Sequence, residues 1–166
     1  MKSKEHWEKV YTAKAPDNVS WFQPHAEMSM RLIHDTGLGC DAAIIDVGGG
    51  ASTLVDDLLD DGYRALTVLD LSAAALNETL RRLGTKGESV RWMEADITQA
   101  VFEPYSFDVW HDRAVFHFLT TDEDRKAYVK QVLRALKPGG HVIMATFGSN
   151  GPTQCSGLPV VRYAPE

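Results

Sequence analysis

Residues Ala43-Ile44-Ile45-Asp46-Val47 run straight into Gly48-Gly49-Gly50, and few architectures accommodate that junction. A short apolar run that breaks on glycine reads as a buried strand emptying into a tight turn. Four more apolar runs follow: Ala65 to Leu69 before Asp70, Val90-Arg91-Trp92-Met93 before Glu94-Ala95-Asp96, Phe107-Asp108-Val109-Trp110-His111, and His141 to Phe147. Helix-like stretches lie between most of them. Ser52 is placed to cap a helix through Leu54, Val55, Leu58 and Leu59, and Ser72 to cap one through Leu76, Leu80 and Leu83 that Gly84 stops. Thr121 or Asp122 opens a third, with Tyr128, Val132, Leu133 and Leu136 inward and Lys137-Pro138-Gly139-Gly140 as its end. The connection containing Pro104 leaves little room for a regular helix.

Strands alternating with helices predict parallel strands and crossovers. The expected fold is a three-layer α/β, Rossmann-like parallel sheet of order 3-2-1-4-5, with a ligand crevice beyond the strands' carboxyl ends. Residues 1–36 read as a helical cap or flank, with helices from Glu5 to about Lys14 and from about Pro24 to Asp35 around a Pro16-Asp17-Asn18 turn. The core spans 37–147, and 148–166 forms a loop with at most one strand, at Leu158-Pro159-Val160-Val161.

Composition removes several function classes. Seventeen basic against twenty-three acidic residues give a net charge of −6, the wrong sign for neutralising phosphates, so no nucleic-acid partner is expected. No stretch approaches the ~20 apolar residues of a membrane helix, and Met1 to Val10 lacks the pattern of a secretory signal. Cys40 and Cys155 are far apart and lack metal-ligand spacing, which predicts no metal site and fits a cytoplasmic location.

Three strand ends carry an acid: Asp46, Asp70 and Asp96. Glycines let backbone N–H groups approach a ligand, a carboxylate ending strand two can take both hydroxyls of a ribose, and one after strand three can accept from an adenine amine. Together they outline a nucleoside cradle. Each also has a plainer reading: Asp70 and Asp96 suit helix or turn caps, and the glycines a bare turn. Asp46 resists one, because an acid within a buried strand is costly without a partner. A dinucleotide fingerprint needs glycine at 48, 50 and 53, but position 53 is Thr, and Asp46 would repel a pyrophosphate. A cationic cofactor would instead gain from that acid.

The ordered set Ile45-Asp46-Val47-Gly48-Gly49-Gly50-Ala51-Ser52, Leu69-Asp70-Leu71-Ser72, Glu94-Ala95-Asp96-Ile97, Phe107-Asp108-Val109-Trp110 and Leu136-Lys137-Pro138-Gly139-Gly140-His141 resembles the successive motifs of class I S-adenosylmethionine-dependent methyltransferases. The match covers roughly residues 40 to 147. It implies that Asp46 with Gly48, Gly49 and Gly50 faces the methionine part of S-adenosylmethionine, Asp70 the ribose hydroxyls, and Asp96 with Ile97 the adenine, with Leu71 a further cofactor-binding candidate. The family's usual third glycine is replaced by Ala51-Ser52. The segment from His111 to Leu119 resembles the region after strand four in small enzymes of the thiopurine and tellurite-resistance type, and Trp7, Tyr11, Trp21 and Phe22 resemble their aromatic cap.

The implied activity is methyl transfer from S-adenosylmethionine, leaving S-adenosylhomocysteine, to a small-molecule or protein acceptor by in-line displacement. His111 and Asp112 are candidates for proton removal or acceptor orientation, although a scaffold role and an Asp112–Arg113 ion pair are equally open. His111, Tyr11 and Trp21 are also cofactor-binding candidates, and Trp21, Phe22 and Phe116 candidate acceptor walls. Nineteen residues follow Phe147, where the family fold continues with a helix and hairpin of ~40 residues or more. A fragment, a natural short form, or a sheet edge covered in a homo-oligomer are the expectations. The alternatives are a non-catalytic S-adenosylmethionine-binding or partner subunit, and an NAD-dependent oxidoreductase.

Overall fold

The computed structural model describes residues 4–13 and 22–164. Trp21 and the expected Pro16-Asp17-Asn18 turn lie outside them. Two helices come first, α1 (Lys4–Ala13) and α2 (Glu27–Asp35). The sheet follows as β1 (Ala43–Val47), β2 (Ala65–Asp70), β3 (Arg91–Glu94), β4 (Phe107–Arg113) and β5 (Leu136–Ala145), interleaved with α3 (Leu54–Asp60), α4 (Ala73–Leu83) and α5 (Asp122–Ala135). Short 3₁₀ turns occupy Gly84–Ser89 and Phe116–Phe118. The strand order is β3-β2-β1-β4-β5, and every pair in this sheet is parallel, as the sequence predicts.

Strand alternation builds two cores, because successive side chains leave opposite faces. On one face Ile44, Leu66, Val68 and Val109 pack with Ile33 of α2, Leu54, Val55 and Leu58 of α3 and Leu76 of α4. On the other, Ile45, Val47, Leu69 and Trp110 pack with Phe102, Phe107, Leu119 and Tyr128. Asp46 therefore shares the α2 face with Ile44, and its register partner on β4 is His111. Asp112, one residue on, belongs to the α5 face.

There its carboxylate is fully buried. It accepts from the Tyr128 hydroxyl at 2.6 Å and from the Val115 and Phe116 amides at 2.7 and 3.1 Å, while Tyr128 Oη accepts from Trp110 Nε1 at 2.8 Å. This network pins α5 to β4. Burial raises the Asp112 carboxyl to about 6, against the pull of those donors.

Several elements differ in detail from expectation. Ser72 caps α4 through Ala75 N, but α3 starts at Leu54 after Thr53, with Ser52 Oγ accepting from Leu54 N instead of occupying the cap position. Pairing of β5 with β4 begins at Leu136 and resumes at His141, so residues 137–140 bulge from the strand instead of preceding it. Lys137 in that bulge reaches Asp108, which also takes the Ala43 amide and so holds β1, β4 and β5 together at their starts. Leu133 is 74% exposed and not inward, and Val129, Val142 and Met144 are exposed beside it on α5 and the edge strand β5. The tail forms two strands, not one: β6 (Gln154–Cys155) and β7 (Leu158–Pro159), joined by Ser156 and Gly157, both at positive φ as a tight two-residue hairpin requires.

Replacing Tyr128 by Phe leaves the buried Trp110 indole N–H without an acceptor and removes one of the three donors to the buried Asp112 carboxyl. Urea denaturation of Tyr128→Phe is expected to show a loss of about 2–3 kcal/mol with an unchanged m-value. A loss below about 0.5 kcal/mol would show that the network does not hold α5 in place.

Candidate functional site

A cavity of about 360 Å³ opens beyond the carboxyl ends of β1, β2 and β4, where α/β sheets place their ligands. The turn after β1 forms its floor. Gly48 has φ +74°, and a Cβ there would meet Val115 Cγ2 at 2.1 Å; one on Gly49 would meet Asp46 Oδ2 at 2.1 Å. Neither position tolerates a side chain. The buried Thr79 hydroxyl of α4 donates to the Gly50 carbonyl at 2.5 Å, fixing the turn against the next crossover helix.

Asp46 and His111 are brought together by register. His111 Nδ1 lies 2.7 Å from Asp46 Oδ1, and its Nε2 lies 2.9 Å from Ser29 Oγ on α2. All three are buried. Both ring nitrogens are thus engaged, and the imidazole orients Asp46 in the way an outer-shell partner orients a ligand group. Asp46 Oδ2 is left buried without a partner at the cavity wall.

Asp70 ends β2 beside it. Its Oδ2 accepts from Gly50 N at 3.0 Å and its Oδ1 from Ser72 N at 2.8 Å. Burial lifts this carboxyl to about 6; the backbone donors Ser72, Gly50 and Leu71 oppose that shift, and the nearby charge of Asp46 adds to it. A carboxylate has about four lone-pair sites, so room for a ligand hydroxyl remains.

The structure gathers most of the predicted residues on the cavity wall: Tyr11, Asp46, Gly48, Gly49, Asp70, Leu71, Ile97 and His111, with Trp7 and Phe22. Gly50 stands just behind, donating to Asp70. Asp96 is not on the wall; its Oδ1 closes a turn on the amide and hydroxyl of Thr98, the capping role weighed from sequence. Asp112 is turned to the other side of the sheet, so it does not reach the cavity. Phe116 packs on Tyr128 at 5.0 Å instead of forming a wall.

Other wall residues carried no readable signal. Arg113 is one, since it reads from sequence as an ion-pair partner of Asp112. Phe118, Phe147, Cys155 and Ser156 are others, delivered by a 3₁₀ turn, a strand end and the β6–β7 hairpin, which no local pattern aims at a site. Behind Phe118 and Phe147, His117 is fully buried and held neutral, lowered to about 4 by burial, with ring contacts at 4.5 and 4.8 Å. Among the described residues no cluster of metal-binding side chains occurs and no helix is long and apolar enough to cross a membrane.

Comparison with known proteins agrees with this geometry. The model of a methyltransferase domain family matches residues 44–140. The human eEF1A lysine and N-terminal methyltransferase is 26% identical over 141 residues, 85% of this chain and 20% of the relative, so the chain spans about a fifth of that protein's length. A solved SAM-dependent methyltransferase from Methanosarcina mazei is 27% identical, with TM-score 0.62, and the match covers 72% of this chain and 58% of that one. The glycopeptide N-methyltransferase MtfA complexed with sinefungin shares the fold, with TM-score 0.65 at 18% identity over 82% of this chain and 60% of that one. With more than half of its length matched, and the glycine turn and both strand-end acids inside the match, the chain belongs to the class I S-adenosylmethionine-dependent methyltransferase domain family.

Proposed function

We propose that this chain binds S-adenosylmethionine in the cavity over β1, β2 and β4 and transfers its methyl group to a small-molecule or protein acceptor. The observation that carries the reading is a buried pair of strand-end carboxylates, Asp46 and Asp70, flanking a turn that excludes side chains. The unpartnered Asp46 Oδ2 calls for a cationic ligand group, because a buried carboxylate without one is costly. An ammonium beside a sulfonium satisfies that demand; a pyrophosphate would be repelled, which disfavours NAD.

In this reading Asp46 holds the ammonium, Asp70 the ribose hydroxyls, Leu71 and Ile97 the faces of the adenine, and Arg113 the carboxylate. When bound, the cofactor supplies an electrophilic methyl carbon. The chain's own contribution is alignment and exclusion of water, by Trp7, Tyr11, Phe22, Phe118 and Phe147 around the cavity. His111, with both nitrogens engaged, positions Asp46 and is not the proton acceptor. The names of the human relative and of MtfA both specify nitrogen acceptors, and we extend that class to this chain. The unpaired Cys40 and Cys155 fit a reducing, cytoplasmic setting.

Calorimetric titration with S-adenosylhomocysteine, with NAD as control, tests the reading. Saturable binding of the first alone is expected, with affinity at least tenfold weaker in Asp70→Asn; equal binding of NAD, or no binding of either, would overturn it. The raised carboxyl of Asp70 fixes the pH dependence. Ligand hydroxyls favour the ionised form, so affinity is expected to fall as pH drops below about 6, by up to tenfold per unit, and Asp70→Asn to flatten that slope. His111→Ala is expected to raise the dissociation constant about tenfold through a misplaced Asp46. Unchanged binding with turnover abolished would instead make His111 the base.

A further inference from the structure

We infer that Glu8 is a positioning residue that latches α1 across the cavity and thereby sets how fast the bound nucleoside ligand leaves; this rests on the cavity being the S-adenosylmethionine site. Glu8 Oε1 accepts from the backbone amides of Ala73 and Ala74 at 2.6 and 3.4 Å, across 65 residues of sequence. Those are the first two amides of α4. Ala75 N already bonds Ser72 Oγ and Leu76 N bonds Ser72 O, so Ser72 caps α4 from within. The carboxylate of Glu8 completes the set from another helix.

Helix α1 lies on the surface of the domain. None of its residues is buried. Its Lys4–Glu94 ion pair is exposed at both ends and contributes little. A carboxylate on helix-terminal amides is a charge-assisted contact favoured by the helix dipole. What that contact positions is the pair of rings next to it: Trp7 and Tyr11 are stacked on each other, line the cavity, and meet Phe118 edge-on through Trp7 at 5.2 Å. The same short loop faces the ligand on its other side, because Ser72 N donates to Asp70 Oδ1. Residues 70–74 thus join the ribose-binding carboxylate to the latch, so a ligand that orders Asp70 also steadies the seat of Glu8.

Two measurements on the whole chain test this. Hydrogen exchange without ligand reads the latch alone: Glu8→Ala is expected to speed exchange of the Ala73 and Ala74 amides and of α1 at least fivefold, with Glu8→Gln, which keeps an acceptor oxygen, in between. Stopped-flow dissociation of S-adenosylhomocysteine reads its consequence. Glu8→Ala and Trp7→Ala are each expected to raise the off-rate about tenfold, and the double variant to match Trp7→Ala within twofold, since Glu8 acts through that ring. Unchanged exchange, an off-rate within twofold of wild type, or multiplicative effects in the double variant would overturn the latch. Failure of the wild-type chain to bind S-adenosylhomocysteine, with exchange changed as expected, would instead overturn the assignment of the cavity and the ligand-release role with it.

Discussion

The pairing of Asp46 with His111 is the constraint around which the site is arranged. A carboxylate inside a parallel sheet stands at a desolvation cost of several kcal/mol unless neighbours compensate it. Register supplies the first neighbour, because Asp46 and His111 are opposed on β1 and β4 and leave the same face. Helix α2 supplies the second link through Ser29, which takes the far nitrogen of the imidazole. One oxygen of Asp46 is thereby fixed and the other is left buried against Gly49 without a partner. The α2 helix thus supports the Asp46–His111 pair, although it contributes no residue to the cavity wall.

The same alternation that unites Asp46 with His111 separates His111 from Asp112. Neighbours on a strand point to opposite faces, so the pair cannot act as a catalytic dyad. Asp112 instead anchors α5 through Tyr128, and its carboxyl is satisfied there. Period-two geometry was available from sequence once β4 was located. What sequence leaves open is which face carries the ligand crevice, because both faces of a buried parallel strand are apolar.

Legibility follows how local the determining physics is. The glycine turn, the acids ending β1 and β2, the Ser72 cap and the strand order are all set by short-range patterns and by topology rules, and the structure reproduces them. Leu133 is exposed where its spacing predicts burial, because amphipathic spacing shows that a helix has an apolar face, not how wide a neighbour covers it. The bulge at residues 137–140 depends on Lys137 finding Asp108 across the sheet, a contact with no local signature. Arg113, Phe147 and Cys155 reach the cavity only through tertiary placement. Asp96 closes a turn on Thr98 through Oδ1, while its neighbour Ile97 stands on the cavity wall, a division of the motif that depends on how the turn after β3 folds.

Charge then links fold to ligand class. Burial raises the Asp70 carboxyl, and the nearby charge of Asp46 adds to that shift. Without a ligand the charge of Asp46 disfavours the ionised form of Asp70. A ligand bearing positive charge near Asp46 offsets that repulsion, while hydroxyls near Asp70 stabilise its ionised form, so in the proposed reading each part of such a ligand strengthens the hold on the other. An anionic ligand would aggravate the repulsion. In the proposed reading, selectivity for a cationic nucleoside arises before any specific contact to the base is made, from the placement of two carboxylates at adjacent strand ends.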